Sequence, residues 1–470
     1  MKFYNRTKEL KYLSSINKLA DRKTQLTVLT GRRRVGKTEL VKHFLAKRQN
    51  RKFFYFFIAK KRSNLLLQEF SAILAKQYPI LTAEFKTWEQ FLKFIFEISR
   101  KEKIIAVFDE FQNFKYIDSS VFSILQKYID QYKDKSKLNL IVIGSIFTLM
   151  EKIFYNSKEP LFGRANHKLL LNPFASNEVR KILLDNKKND FIDLINFYAV
   201  FGGIPKYYND IDNLNIYNKN FDIILKTLIF NENGLLKREG FDLVADEFGR
   251  NYQTYFSILQ SIAVGKTKTS EISNNTGIAV GTLSQYLEKL VFYYKLIDRR
   301  MPLLDEKTKK SRYKLNDQFL TFWFRYLYKN WSMAELNNFE PIISHVKKNI
   351  NALYGITFET IIKESIINKE ITNFPIKTVE DIGSWWSRQE AEIDILAVNK
   401  DKRQLFMGEC KLNNKRVTYQ LGIDLKKKGD LIKWRAKQRN NFFGIFTVGK
   451  INSELKSKLN KIKIQVWEME

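Results

Sequence analysis

Cysteine, histidine and proline are scarce in this chain, and each scarcity closes off a class of explanation. One cysteine in 470 residues, Cys410, leaves no internal disulfide and no Cys-rich zinc site, and 3 histidines argue against a histidine-based metal centre. A reducing cytoplasm is the expected setting. With 7 prolines and 44% hydrophobic residues the composition is that of an ordinary globular protein. The longest apolar run, residues 138–150, is too short to span a bilayer and is broken by Gly144, Ser145 and Thr148, so no membrane partner is expected. The starting segment MKFYNRTKELKYL is charged throughout and has no apolar core of a secretory signal. Acids are also in short supply: 50 Asp and Glu against 81 Lys and Arg leave a formal charge of +31, which points to a polyanionic partner such as DNA. Lys, Asn, Ile and Phe abound together, as a biased coding composition produces, so part of that charge is expected to be plain solvated surface. The length suits about three domains.

What is present is most specific near the start. Residues 31–38, GRRRVGKT, fit the pattern G-x-x-x-x-G-K-[ST]. An apolar, β-branched stretch precedes them (26–30, LTVLT), and the residues from Glu39 to Leu45 have helical spacing. The loop is therefore expected to join a strand to a helix, with Gly31, Arg32, Arg33, Arg34, Val35, Gly36, Lys37, Thr38 and Glu39 around a bound nucleotide. Gly31 and Gly36 let backbone N–H groups converge on the β-phosphate, where the helix N-terminus adds partial positive charge. Lys37 is the expected contact of the β- and γ-phosphates, and the Thr38 hydroxyl the expected ligand of Mg2+. An ordinary glycine-containing turn is the plain alternative.

Further runs at 52–59 (KFFYFFIA), 104–110 (IIAVFDE), 138–145 (LNLIVIGS) and 167–174 (HKLLLNPF) read as strands, with helical patterns around 65–77 and 87–98. Strands alternating with helices imply a parallel sheet covered on both faces. From Ala175 to about residue 240 the pattern is helical, as in a lid. Residues 252–313 read as a winged helix: a helix opening at Ser270, a turn at Asn275-Thr276-Gly277, a recognition helix at 282–290, and a wing hairpin of 296–300 and 311–315 around the basic loop Lys307-Thr308-Lys309-Lys310. Such an element holds DNA by groove and phosphate or serves as a protein contact, and the exposed residues of this helix are neutral or acidic. The aromatic stretch 320–327 (LTFWFRYL) is expected to be interdomain core rather than a base-stacking platform.

A phosphate loop works with acids at the end of a neighbouring strand, and Asp109-Glu110 close such a run. Asp109 is expected to hold the magnesium through water and Glu110 to polarise the attacking water; the alternative is a strand end meeting solvent. Ser145, at the tip of the next strand, suits sensing the γ-phosphate or positioning that water, and suits a polar strand terminus nearly as well. Arg164 lies where a cationic finger could reach transferring phosphate in cis or from a neighbouring subunit, which would make the protein a homo-oligomer; a surface arginine is its plain alternative.

These residues resemble a known family, the archaeal-type P-loop ATPases of prokaryotes, within the AAA+-like and signal-transducing NTPase assemblage. The likeness rests on Asn5-Arg6 with Glu9-Leu10, GRRRVGKT, Asp109-Glu110-Phe111-Gln112, Gly144-Ser145, Gly163-Arg164, and Gly202-Gly203-Ile204-Pro205 with Tyr207. It runs nearly end to end, including the winged helix and a C-terminal module. The resemblance implies ATP rather than GTP, the roles just given for Lys37, Thr38, Asp109 and Glu110, and a nucleotide-contacting role for Arg164.

Residues 383–411 carry a second chemistry. Asp394 lies in one strand-like run (392–396, EIDIL), and Glu409-Cys410-Lys411 lie in the next, fifteen positions on. That distance suits a hairpin, and alternation puts Glu409 and Lys411 on one face with Cys410 turned into the core. Asp394 and Glu409 are then placed to share Mg2+, Glu359 to add a carboxylate from a preceding helix, and Lys411 to orient water or steady a pentacovalent phosphate. The arrangement resembles the restriction-endonuclease-like superfamily, with its D…E-x-K signature, whose members also include non-cutting DNA-binding scaffolds; an ordinary hairpin with a salt bridge is the alternative.

The expected fold class is α/β: a P-loop NTPase parallel sheet (1–175) with a helical lid (176–245), then an α+β winged helix (246–332) and an α/β restriction-endonuclease-like domain (333–470). The expected function is ATP binding and hydrolysis coupled to DNA engagement or Mg-dependent cleavage. A nucleotide-gated regulator that cuts nothing is the other reading.

Overall fold

Hydrophobic alternation on both faces of five short runs decides the first architecture. In the computed structural model, described for residues 2–47, 52–79, 84–145, 147–248, 252–305, 311–387 and 391–470, these runs are β1 (Gln25–Gly31), β2 (Lys52–Phe57), β3 (Ile104–Asp109), β4 (Leu138–Gly144) and β5 (His167–Leu171). All pairings are parallel and the order is β2-β3-β4-β1-β5. Leu26, Val28, Ala106, Phe108, Leu140 and Val142 look to one side, into an aromatic core with Phe56, Phe70, Phe91 and Trp88. Leu29, Ile105, Val107, Ile141 and Ile143 look to the other, against Leu40, Val41 and Phe44 of the helix Lys37–Ala46. The period of two is what lets each strand serve both cores. The helix Trp88–Lys101 shows the complementary logic: Thr87 caps it by accepting the Gln90 amide, and Trp88, Phe91, Leu92, Ile95 and Phe96 fall on one buried stripe.

Two compact units result, residues 2–173 with 204–206, and residues 174–203 with 207–470. In the second, the helix Ser176–Asp185 is joined to the long helix Asn351–Ile367 by Glu364, which accepts from the Ser176 amide at 2.8 Å and from the Tyr198 hydroxyl at 2.9 Å. Helices Tyr252–Ala263, Thr269–Thr276 and Val280–Glu288 are followed by a hairpin of β6 (Ile297–Arg300) and β7 (Arg312–Leu315). Gly277, in the left-handed region, ends the middle helix. The basic loop 307–310 lies outside the described residues. Phe319, Phe322, Trp323, Phe324 and Tyr326 are buried, so this aromatic stretch is core.

The chain then enters a second sheet: β8 (Asp381–Trp386), β9 (Glu392–Asn399), β10 (Gln404–Lys411), β11 (Asn440–Val448) and β12 (Ile464–Met469), in the order β12-β11-β10-β9-β8. β8, β9 and β10 are antiparallel neighbours, whereas β10, β11 and β12 run parallel. The parallel pairs need crossovers, which the helices Tyr419–Asp430 and Ser453–Lys461 supply.

Candidate functional site

The phosphate loop leaves the carboxyl end of β1 through Gly31. Its φ is 153°, and a Cβ there would lie 2.5 Å from the Leu171 carbonyl oxygen, so only glycine fits. The loop returns at Gly36, which starts the helix with φ 90°. Lys37 folds back into the loop and is almost wholly buried, its Nζ donating to the Gly31 and Arg32 carbonyls at 2.8 Å each. Val35 is fully buried, and its carbonyl accepts from the Arg6 guanidinium at 3.3 Å. Arg32, Arg33 and Arg34 are partly buried along the same loop. Glu39 turns out to solvent and pairs with Lys42 at 3.1 Å, so it stands outside the cradle.

The acids are not on the strand next to β1: β4 lies between β1 and β3. This corrects the expectation of a neighbouring strand, and the inserted strand brings Ser145 between loop and acids. Asp109 alternates onto the same face as Val107 and so points toward the phosphate-loop helix. Its Oδ2 accepts from the Thr38 hydroxyl at 2.8 Å and from the Tyr55 hydroxyl, and its Oδ1 from the Glu110 amide at 2.8 Å. Burial, then the Asp109 carboxylate, pushes the Tyr55 phenol well above its ordinary value. Glu110 leaves the strand in the left-handed region, φ 57°, and its Oε2 accepts from Ser145 Oγ at 2.8 Å and from Gln112 Nε2. Gly144 makes room here, since a Cβ would lie 2.3 Å from Met150 and 2.8 Å from Gln112 Oε1.

Residues 3–211 match the family described as an ATPase domain predominantly from Archaea, and residues 323–422 one described as "Archaea bacterial proteins of unknown function". The uncharacterized protein MJECL04 of Methanocaldococcus jannaschii is 32% identical over 408 residues, 86% of each chain. The chain belongs to the archaeal-type ATPase family. Among solved structures, the Walker-type ATPase PABY2304 of Pyrococcus abyssi shares the fold, with a TM-score of 0.53 and 19% identity over 69% of this chain and 96% of that one. Among the described residues no helix is long and apolar enough to cross a membrane.

The archaeal-type ATPase carries its second cluster on β9 and β10. Their register runs to Gly408 against Ile395, and Asp394 and Glu409 each lie one residue beyond that last pair. Lys411 Nζ donates to Glu409 Oε2 at 2.7 Å and lies 3.7 Å from Asp394 Oδ2, which also accepts from the Cys410 amide at 2.8 Å. Glu409 Oε1 is taken by Lys428, at 2.7 Å, from the helix Tyr419–Asp430. Burial first, then Glu409 and Glu359, raises the Asp394 carboxyl to about 7. Burial pulls the Lys411 ammonium down, but Glu409 and Asp394 hold it above its ordinary value. Burial, then the Asp394 and Glu359 carboxylates, pushes the Cys410 thiol well up, although the residue as a whole is partly exposed.

Asp394, Glu409 and Lys411 thus lie together, and in the first unit Thr38, Asp109, Glu110 and Ser145 are linked in turn, with Lys37 folded into the loop beside them. Glu359 lies near enough to act on the Asp394 carboxyl, and its own bond is to Lys363, one turn along its helix, at 3.4 Å. Among the described residues no group of three or more His, Cys, Asp or Glu is assembled to hold a metal ion. Arg164 is misplaced for its own loop. Two residues on, Asn166 bonds the Leu26 backbone from both its amide and its side chain, which fixes Arg164 near the amino end of β1. Leu26 to Gly31 spans about 16 Å of strand, and Arg164 is paired with Asp130 at 3.1 Å.

Arg6, Tyr55, Gln112 and Lys428 were not assigned site roles from sequence. Arg6 and Gln112 had a signal, being part of the Asn5-Arg6…Glu9 and Asp109-Glu110-Phe111-Gln112 groups that carry the resemblance; Tyr55 and Lys428 sit in plain strand and helix runs.

Proposed function

We propose that the protein binds ATP with Mg2+ at the loop Gly31–Thr38 and hydrolyses it, and that nucleotide state governs how the C-terminal region engages DNA. The observation that carries this reading is the 2.8 Å contact of the Thr38 hydroxyl with Asp109 Oδ2 beside a buried Lys37. A hydroxyl and a carboxylate at that spacing are the hard oxygen donors Mg2+ takes, so Thr38 and Asp109 suit it directly or through water. Bound there, the ion would neutralise charge on the β- and γ-phosphates. Lys37 would exchange the Gly31 and Arg32 carbonyls for phosphate oxygens. Glu110, released by Gln112 and Ser145, would take a proton from water as that water attacks the γ-phosphorus, leaving ADP and phosphate. Arg164, at the far edge, suits a nucleotide held by a neighbouring copy.

Calorimetry and steady-state hydrolysis test this. Lys37→Ala should weaken Mg-ATP binding, and Glu110→Gln should bind and stall. No heat with Mg-ATP, or ordinary turnover by Glu110→Gln, would sink the assignment.

For the C-terminal region we keep the nuclease-like reading, with Asp394 and Glu409 offered to Mg2+ and Lys411 to the attacked phosphate. The donors suit the ion in kind, but Lys411 and Lys428 hold both Glu409 oxygens. That pairing favours the second reading, a nucleotide-gated scaffold that grips DNA without cutting it. Metal-dependent nicking of plasmid, lost in Asp394→Ala and Glu409→Ala, decides for cleavage; equal, nick-free behaviour of all three decides for the scaffold. The division into 1–175, 176–245, 246–332 and 333–470, the winged-helix assignment and a cytoplasmic setting belong to the same proposal.

A further inference from the structure

The β6–β7 hairpin has two unlike faces. Ile297, Tyr313 and Leu315 are buried, and the Tyr313 amide donates to the Thr267 carbonyl at 2.7 Å ahead of the second helix of its group. By alternation the opposite face carries Asp298, Arg300, Arg312 and Lys314. Arg300 stands directly across from Arg312, and Asp298 across from Lys314. Like charges directly opposed between strands are destabilising. On the two strands three cations stand against one acid, and Glu392 and Glu359 offset them only in part.

That face is turned to the second sheet. Arg312 bonds Glu392 at 3.1 Å at the start of β9, and its guanidinium lies 4.7 Å from the centre of the Trp386 ring. Just past β6, the Leu303 amide donates to the Ser384 carbonyl at 3.0 Å, and Leu303 and Leu304 pack with Trp385 and Ile393. A shared apolar core makes this a permanent seat for the hairpin. Ser384 continues the line inward: its hydroxyl accepts from Lys363 at 2.7 Å and donates to the Asp394 carbonyl at 3.0 Å. Burial first, then the neighbouring Arg300 and Lys363, brings the Lys314 ammonium down to about 7, with Glu359 and Asp298 acting the other way.

We propose that the charged face of this hairpin and the β8–β9 edge form one cleft for the phosphodiester backbone of DNA, in which Arg300, Arg312 and Lys314 hold phosphates and present the strand to Asp394 and Glu409. The cleft rests on the DNA reading above and deepens it: wing and acid pair act on the same strand. Arg312 is free to change partner, because a half-exposed pair such as Arg312–Glu392 contributes only about 0.2–1 kcal/mol.

The test uses the full chain and a short labelled DNA duplex, with affinity followed by anisotropy across a salt series. The double variant Arg300→Gln/Lys314→Gln should bind about tenfold more weakly and lower the salt slope by about two. Lys314→Arg, alone, should retain affinity. Arg299→Gln, on the other face of β6, should change neither quantity, and thermal melts report whether each variant folds. Unchanged affinity in a folded double variant overturns the cleft, and tighter binding does so as well, because it would mark the hairpin as a block. Absence of any salt-dependent binding by the unaltered protein is a different result, and it removes the DNA reading together with the cleft.

Discussion

Arg6 Nη2 donates to the Val35 carbonyl at 3.3 Å and to the Asn172 carbonyl at 2.8 Å, tying the phosphate loop to the chain just past β5. The guanidinium is buried, and Glu9 balances it at 3.2 Å. Two left-handed residues in succession, Asn5 at φ 52° and Arg6 at φ 61°, aim it there. Arg6→Ala would take this donor from the buried Val35 carbonyl and from the Asn172 carbonyl and leave Glu9 without its cation, at a cost of about 2–3 kcal/mol. Nucleotide affinity should fall with it, because the loop loses its outer brace. Arg6→Lys should recover only part of both, since an ammonium does not reproduce the planar fork. Denaturant unfolding and calorimetry read the two effects; ordinary nucleotide affinity in a destabilised Arg6→Ala would confine the residue to folding.

What the sequence discloses here follows from how local the cause is. Gly31, Gly36 and the strand-to-helix change around them are set within a dozen residues, and the loop lies where its pattern places it. The insertion of β4 between β1 and β3 depends on pairing between distant runs, and periodicity does not encode it. Tyr55 and Lys428 reach their acids from other strands and helices, in runs whose composition is that of ordinary core or surface. Arg164 shows which of its two alternatives the fold disfavours, the reach to its own loop. Parallel strands all begin at the same edge, so a residue just ahead of β5 must sit at the amino edge, opposite the phosphate loop. The spacing to His167 already contained that answer.

Gly203 illustrates a motif whose reason only the fold supplies. A Cβ there would fall 1.8 Å from the Phe174 carbonyl oxygen, and the Gly203 carbonyl accepts from the Phe174 amide at 2.7 Å. Two backbone segments touch, and no side-chain rearrangement can relieve the overlap. Gly203→Ala should cost about 3 kcal/mol or more, or abolish soluble expression, as backbone overlap in a packed site does. Gly281→Ala is the matched control, because nothing lies within 4 Å of its added carbon. Similar melting temperatures for the two variants would contradict the packing argument.

Tyr55 competes with the cation that we assign to Asp109. Its hydroxyl donates to the Oδ2 atom that also accepts from Thr38. Tyr55→Phe removes that donor and opens a lone pair, so half-saturation by Mg2+ in ATP hydrolysis should fall by a few-fold with little change in turnover. Stability should drop by about 1 kcal/mol for the lost bond. Weaker Mg2+ dependence in the variant would instead make Tyr55 the residue that orients Asp109.

Asp394 ties the second cluster to pH. Its folded-state value of about 7 lies above the ordinary 3.8, with burial the leading cause and the Glu409 and Glu359 carboxylates adding to it. A carboxyl raised in this way contributes stability below about pH 4, where it is protonated in both folded and unfolded chains. That contribution is lost as pH climbs through 7, because ionising the group in place costs more than ionising it in the unfolded chain. Asp394→Asn keeps an oxygen to accept the Cys410 amide and never ionises. It should therefore come close to the unaltered protein in urea unfolding near pH 4 and exceed it by about 1–3 kcal/mol at pH 8. Lys411 limits the gain, since it lies 3.7 Å from Asp394 and loses that partner in the variant. A stability difference that stays constant between the two pH values would mean that Asp394 ionises normally, with Lys411 and Lys428 outweighing its burial.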